Sequence, residues 1–259
     1  MSAALPRPDE LGAAPFADRA RDAVERAVAA NADAVPRAAR LLADCVAADG
    51  VIHAFGTGHS QAAALEIAGR AGGLVPTNRL SLADLVLRGG EDPAVLADPL
   101  LERTPGLAER LYALADPRPQ DLFVIISSSG VNNAVVDLAV KVTGAGHRLL
   151  ALTSLAHARA VPALHASGRR LADLADVVLD NCAPTGDAVL PLPGGGAACG
   201  ISTLTSALLV QMTVAETLAL LLAEGHEPPV YVSANTPGGH ERNLLLEARY
   251  EGRLHRGGH

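Results

Sequence analysis

Tryptophan is absent from the 259 residues, and three Phe and three Tyr are the whole aromatic complement. A core built by this chain therefore rests on Ala, Leu and Val, which carry most of its 49% apolar content. Ala and Leu favour helices and Val favours buried strands, so helices packed on a sheet are expected. Basic residues are scarce as well: 21 Lys and Arg face 28 Asp and Glu, and the net charge is −7. No basic run exceeds Arg169-Arg170, which argues against a nucleic acid or membrane surface as partner. Cysteine is limited to Cys45, Cys182 and Cys199, with no C-x-x-C pair. Free thiols of a cytoplasmic protein fit that pattern better than a disulfide framework. The opening "MSAALPRPDELG" lacks the basic start and apolar run of a signal peptide. No stretch of about 18 uninterrupted apolar residues occurs, so no transmembrane span is expected. What these absences leave is a soluble, cytoplasmic α/β protein, long enough for one large domain with an appendage.

The patterning supports that class. From Phe16 to Ala48 apolar residues recur every three or four positions, as in an amphipathic helix, and Pro36 is expected to split the stretch in two. "VIHAFG" reads as a strand, with a helix from Ser60 to Ala71 closed by Gly72-Gly73. "LVPTNRL" suggests a short second strand. The proline-rich stretch 81–120 holds a helix over "LLERTPGLAERLYALA". "DLFVIIS" is the clearest buried strand. It runs into a glycine turn and a helix with Val135, Leu138, Ala139 and Val142 on one side. "RLLALTS" and "DLADVVLDN" are further strands, and "ISTLTSALLVQMTVAETLALLLAEG" is a long buried helix of the core or of a dimer interface. A loop-rich tail, "PPVYVSANTPGGHERN", precedes a last short helix. Strands alternating with helices imply a doubly wound parallel sheet flanked by helices, a three-layer sandwich. The boundaries expected are an N-terminal helical segment 1–48, a main domain 49–245 and a C-terminal helix and tail 246–259.

Two turns draw attention because each leaves a strand through glycine and serine and enters a helix: "FGTGHSQ" and "SSSGVNN". In parallel sheets ligands sit outside the carboxyl ends of strands. Glycine lets the backbone approach closely, while orphan N–H groups, the helix dipole and hydroxyls together suit a phosphate. A dinucleotide fits poorly, since Gln61 stands where the fingerprint wants Gly or Ala and no acidic residue ends the second strand. A P-loop is excluded because Gly194–Gly196 is followed by no Lys-Ser/Thr.

"FGTGHS", followed some seventy residues later by "SSSGVNNAVVDLA", resembles the sugar isomerase (SIS) domain family over roughly residues 30–245. It is closest to the stand-alone phosphosugar-binding branch with "FGTGHS" and "SAN-x-PGG" signatures. The resemblance implies a phosphosugar bound on a doubly wound sheet, in a homodimer or higher oligomer whose partner completes the site. Carried over by position, Gly58, Ser60, Ser127, Ser129 and Gly130 would hold the phosphate. Ser128 is an additional candidate, and Asn132 replaces a frequent threonine.

Chemistry at the far end of such a ligand needs an acid or base near neutral pKa. His59 lies in the first turn and Glu66 seven residues on, about 10 Å along a helix axis, although Glu66 can also pair with Arg70 on the surface. Glu216 interrupts an apolar run, where burial would raise its pKa, or it lies on the helix's open side. Ser233, Asn235, His240, Glu241 and Asn243 crowd a Gly-Gly turn; such polar density suggests binding, with Asn235 as a substrate contact, and the SIS resemblance implies that late segments lie near a neighbouring subunit's site. Asp187 follows a strand and serves best as a turn-stabilising aspartate. No metal site is expected, because the histidines lack i,i+4 spacing to carboxylates, and no cofactor is expected. Phosphoheptose isomerases, another SIS branch, carry His and Glu where this chain has Glu66 and Arg70, so their metal-assisted scheme does not transfer. The etherases' glutamate falls at Arg70. The branch resembled includes N-acetylglucosamine-6-phosphate dehydratase. It implies a lyase that removes the C2 proton with Glu66 or Glu241 and expels water with help from His59 or His240. An aldose–ketose isomerase and a non-catalytic phosphosugar sensor are the alternatives.

Overall fold

A computed structural model describes residues 10–98, 101–104 and 106–255. Five strands form one parallel sheet in the order β2-β1-β3-β4-β5: β1 (Ile52–Gly56), β2 (Thr77–Leu80), β3 (Leu122–Ile126), β4 (Arg148–Thr153) and β5 (Val177–Asp180). From β1 the chain first crosses to β2 on one side and then to β3 on the other, pairing Ile52 with Thr77 and with Leu122. That reversal opens a crevice between the carboxyl ends of β1 and β3, where open sheets bind ligands.

Alternate strand residues feed two cores. Ile52, Val124, Leu150 and Leu179 face α2 (Ala34–Ala47), α3 (Gln61–Ile67) and α8 (Ser202–Ala223), which contribute Leu42, Ile67 and Leu209. Phe55, Phe123, Ile125 and Leu149 face α5 (Leu107–Ala115) and α6 (Asn133–Gly144), which contribute Leu111, Val135 and Leu138. The three-layer sandwich is the one the patterning predicts. Ala38, Ala39 and Ala43 are fully buried on α2, so small side chains let this helix lie close against α8. The scarcity of aromatics is thus matched by close helix–helix packing. Each leucine in these layers adds roughly 2 kcal/mol of burial.

Several local expectations are corrected. The first helical stretch breaks between α1 (Ala13–Ala30) and α2, three residues before Pro36 can act. Asn31 makes the break: its buried side chain donates to the carbonyls of Ala27 and Asp180, both at 2.7 Å, and accepts from the N–H of Asp180 at 2.8 Å. Pro36 then sits in the first turn of α2, where a missing N–H costs nothing. α3 ends at Ile67 rather than Ala71, with the chain extended at Ala68. The helix expected over 100–115 is α5, preceded by a separate 3₁₀ turn over Leu101–Arg103. Residues 188–200, to which the sequence assigned no element, form an antiparallel hairpin of β6 (Ala188–Pro191) and β7 (Ala197–Gly200), turned through Gly194–Gly196. α8 is long and apolar enough to cross a membrane by composition, with mean hydropathy 1.7, although polar residues interrupt its run. Its Thr205, Leu209, Thr213 and Thr217 are buried, as in a core helix. Glu216 lies on its open side, so the carboxylate is exposed and not desolvated.

The amino-terminal edge of the sheet is closed by the C-terminal segment. Gly72 and Gly73 exchange hydrogen bonds with Tyr231, and α9 (Gly239–Glu247) begins inside the expected tail loop. Asp121, just before β3, is 2% exposed and binds Arg253 at 2.6 Å and His53 at 3.2 Å. Burial alone would raise its pKa. Hydrogen bonds from His53, Arg253 and the N–H groups of Val51 and Arg118 outweigh that and hold it at about 2.

Candidate functional site

A cleft of about 250 Å³ lies at the carboxyl edge, lined on one side by Thr57, His59, Ser60, Ser127, Ser128, Ser129 and Asn132. The two glycine turns, seventy residues apart in sequence, thus meet across the crevice between β1 and β3. Gly58 does not line the cleft. It takes φ +55 and turns the chain, with His59 exposed beside it.

The second turn is wound tightly. The N–H of Gly130 donates to Ser127 Oγ at 3.1 Å, and the carbonyl of Ser128 accepts from Ser154 N–H at 3.1 Å. Gly130 has φ +62, and a Cβ there would meet Thr153 Oγ1 at 3.2 Å, so the turn requires glycine. Because Ser127 Oγ already accepts, its hydrogen is free for the cleft. Among the described residues, the N–H groups of Ser128 and Ser129 carry no hydrogen bond. α6 begins at once, its amino terminus adding dipole and amides. Asn132 caps α6 through its backbone, and its side chain donates to Glu102 at 3.2 Å. No Lys or Arg lines the cleft among the described residues. An anion here would be held by amides, hydroxyls and a helix terminus.

His157, Asp187, Ser202, Thr203 and Ser206 also line this cleft. His157 was missed by sequence reasoning. It sits in α7 (Leu155–Ala160), which starts directly after β4, and its N–H donates to Ser154 Oγ at 3.0 Å. The rule that ligands gather beyond strand ends, applied to β4, is the signal that could have found it. Its Nδ1 is buried with no hydrogen-bond partner among the described residues. Asp187 is a cap, in keeping with its reading as a stabilising aspartate, but it caps α8 and lines the cleft too.

Other expected site residues do not line this cleft. Glu66 is ion-paired with Arg70 and accepts from Gln211 of α8 at 2.6 Å. Asn235, His240 and Glu241 are exposed on the segment packed toward the amino edge. Asn243, from the same polar stretch, clasps the backbone of Val232 at 2.9 and 3.1 Å, a structural task. Glu216 is exposed on α8. Among the described residues, no three of His, Cys, Asp and Glu converge to hold a metal ion.

A family model described as SIS domain matches residues 15–154. The chain belongs to the SIS domain family. A UPF0309 protein of Listeria monocytogenes is 38% identical over 243 residues, covering 92% of this chain and 97% of that protein. A UPF0309 protein of Streptomyces coelicolor is 39% identical over 249 residues, covering 95% and 98%. Among solved structures, phosphoheptose isomerase from Neisseria gonorrhoeae superposes with a TM-score of 0.54 at 20% identity, covering 80% of this chain and 96% of that one. At that identity the likeness is one of fold. This SIS chain carries the serine turn on which the resemblance was drawn, now seen facing the "FGTGHS" turn across one cleft.

Proposed function

We propose that this SIS chain is a phosphosugar enzyme that holds the phosphate on Ser60, Ser127, Ser128 and Ser129 and ionises the carbon beside the sugar's carbonyl. One observation supports this most: unpaired amides and free hydroxyls at the start of α6 share a cleft with two histidines. Phosphate at the serine turn would direct the open-chain sugar toward the far wall, within reach of His157. A histidine base takes the C2 proton, and the electron pair moves to the carbonyl oxygen to give an enolate, or an enediolate where C2 carries a hydroxyl. Expulsion of the C3 oxygen as water, with His59 as proton donor, would make the chain a dehydratase of an amino-sugar 6-phosphate such as N-acetylglucosamine 6-phosphate. Return of the proton to C1 would make it an aldose–ketose isomerase. Glu66 and Glu241 lie outside the chain's own cleft, so a histidine takes the base's place in either reaction. A homodimer would bring a partner's surface to the cleft, and α8 has the exposed Leu204 and Leu222 to cover.

Proton NMR of N-acetylglucosamine 6-phosphate with the protein in deuterated water tests the reading. An unsaturated product establishes the dehydratase. Deuterium exchange at C2 without net product, together with conversion of the 2-hydroxy sugar glucose 6-phosphate to a ketose in a parallel sample, establishes the isomerase. An unchanged spectrum with a substrate-induced rise in melting temperature would replace both with a phosphosugar sensor.

A further inference from the structure

The amino termini of α3, α6 and α8 meet at the cleft, and the last two differ chemically. That of α6 is open. That of α8 is already filled by the protein's own carboxylate: Asp187 Oδ1 accepts from the N–H groups of Ile201 at 3.0 Å and Ser202 at 2.7 Å. Oδ2 accepts from Ser202 Oγ at 2.8 Å. Asp187 reaches this position from the foot of the β6–β7 hairpin with φ +69, an uncommon conformation for a residue with a side chain. At Gly200, the other foot, a Cβ would lie 2.7 Å from Oδ2, so both strands of the hairpin are fitted to the carboxylate.

The hydrogen-bond inventory then gives the two walls opposite characters. Ser202 Oγ has spent its hydrogen on Asp187 and can only accept. The Asp187 carboxylate is half-buried and keeps lone pairs toward the cleft. The serine turn lining the same cleft offers donors instead, namely the Ser127 hydroxyl and the Ser128 and Ser129 amides.

We infer that Asp187, with Ser202, recognises the hydroxyl groups of the ligand's sugar end and excludes a second anionic group from that end. The cleft thereby selects sugar monophosphates, in a single orientation, over bisphosphates. This rests on the phosphosugar reading and adds to it the class of substrate and the residue that sets it. A polyol donates to carboxylate and serine oxygens; a second phosphate would face the carboxylate with like charge and find the helix terminus occupied.

The test is calorimetric titration of the full-length chain with inorganic phosphate, glucose 6-phosphate and glucose 1,6-bisphosphate. Wild type is expected to bind the monophosphate at least about ten-fold more tightly than inorganic phosphate and more tightly than the bisphosphate. Asp187→Asn keeps an oxygen for the two amides. It is expected to leave the affinity for inorganic phosphate within about two-fold while weakening glucose 6-phosphate about ten-fold or more. The loss of the monophosphate's advantage in this variant is a readout that general loosening of the hairpin would not produce. Two results would overturn the inference while sparing the phosphate grip: bisphosphate binding tighter than monophosphate in wild type, which requires no variant to fold, or an unaltered preference in Asp187→Asn. A wild type that binds neither phosphate nor glucose 6-phosphate would remove the phosphosugar reading itself, and the inference with it.

Discussion

The backbone N–H of Gly130 donates to the hydroxyl oxygen of Ser127 at 3.1 Å, and this one bond turns the serine's hydrogen outward to the cleft. The account makes both residues necessary for phosphate binding in different ways. Ser127→Ala or Ser129→Ala removes a donor to a charged group and is expected to weaken phosphosugar binding about ten-fold each, as read by calorimetric titration. Gly130→Ala forces a side chain into φ +62 beside Thr153, so it should also lower stability by about 1–3 kcal/mol, visible in thermal melts.

His157 separates binding from chemistry. It lines the same cleft without being one of the phosphate's proposed donors, so His157→Gln is expected to keep phosphosugar affinity while lowering turnover about 100-fold. Turnover that survives the substitution would move the base to His59 or to a neighbouring chain.

Asn31 does the opposite. Two of its three bonds tie the α1–α2 break to Asp180 of β5, the third holds the end of α1, and Asn31 does not line the cleft. Asn31→Ala leaves the buried carbonyl and N–H of Asp180 unpaired and is expected to cost about 3 kcal/mol of stability with unchanged affinity for phosphosugar.

Acid stability should report on the amino edge. Asp121 is depressed from 3.8 to about 2 by His53, Arg253 and two backbone donors acting against burial. A carboxylate with a lowered pKa contributes stability that is present in full above its unfolded value and is lost as pH falls through the folded one. The contribution is about 2 kcal/mol, fully present above about pH 4 and gone below about pH 2. Burial pushes His147 below its ordinary 6.5, so a separate decline begins as pH drops through that value, where the unfolded chain gains a proton first. Urea melts across this range should show both limbs, and Asp121→Asn should flatten the more acidic one while pushing His147 further down by removing the carboxylate charge beside it.

Much of this was legible in the sequence because apolar periodicity is dictated locally. The five strands, α6 with Val135 and Leu138 inward, and the core helix α8 all follow from which residues must leave water. The two glycine turns were legible too, since serine and glycine at a strand's end have few other uses. What was hidden depends on long-range partners. The break at Asn31 is made by the backbone of Asp180, 149 positions away. The hairpin at 188–200 is fitted to one carboxylate, and its strands carry no clear alternation. Glu66 stands about two turns beyond the phosphate motif yet is claimed by Gln211, 145 positions on, and no spacing rule reveals that. His157 lay in a stretch that read as an unremarkable polar helix.

The most direct test of the central claim is titration of wild type and of the Ser127→Ala/Ser129→Ala double variant with N-acetylglucosamine 6-phosphate and with unphosphorylated N-acetylglucosamine. The account predicts that wild type binds only the phosphorylated sugar and that the double variant loses it. Equal binding of both sugars, or phosphosugar binding that survives loss of both hydroxyls, would contradict a phosphate grip at the start of α6.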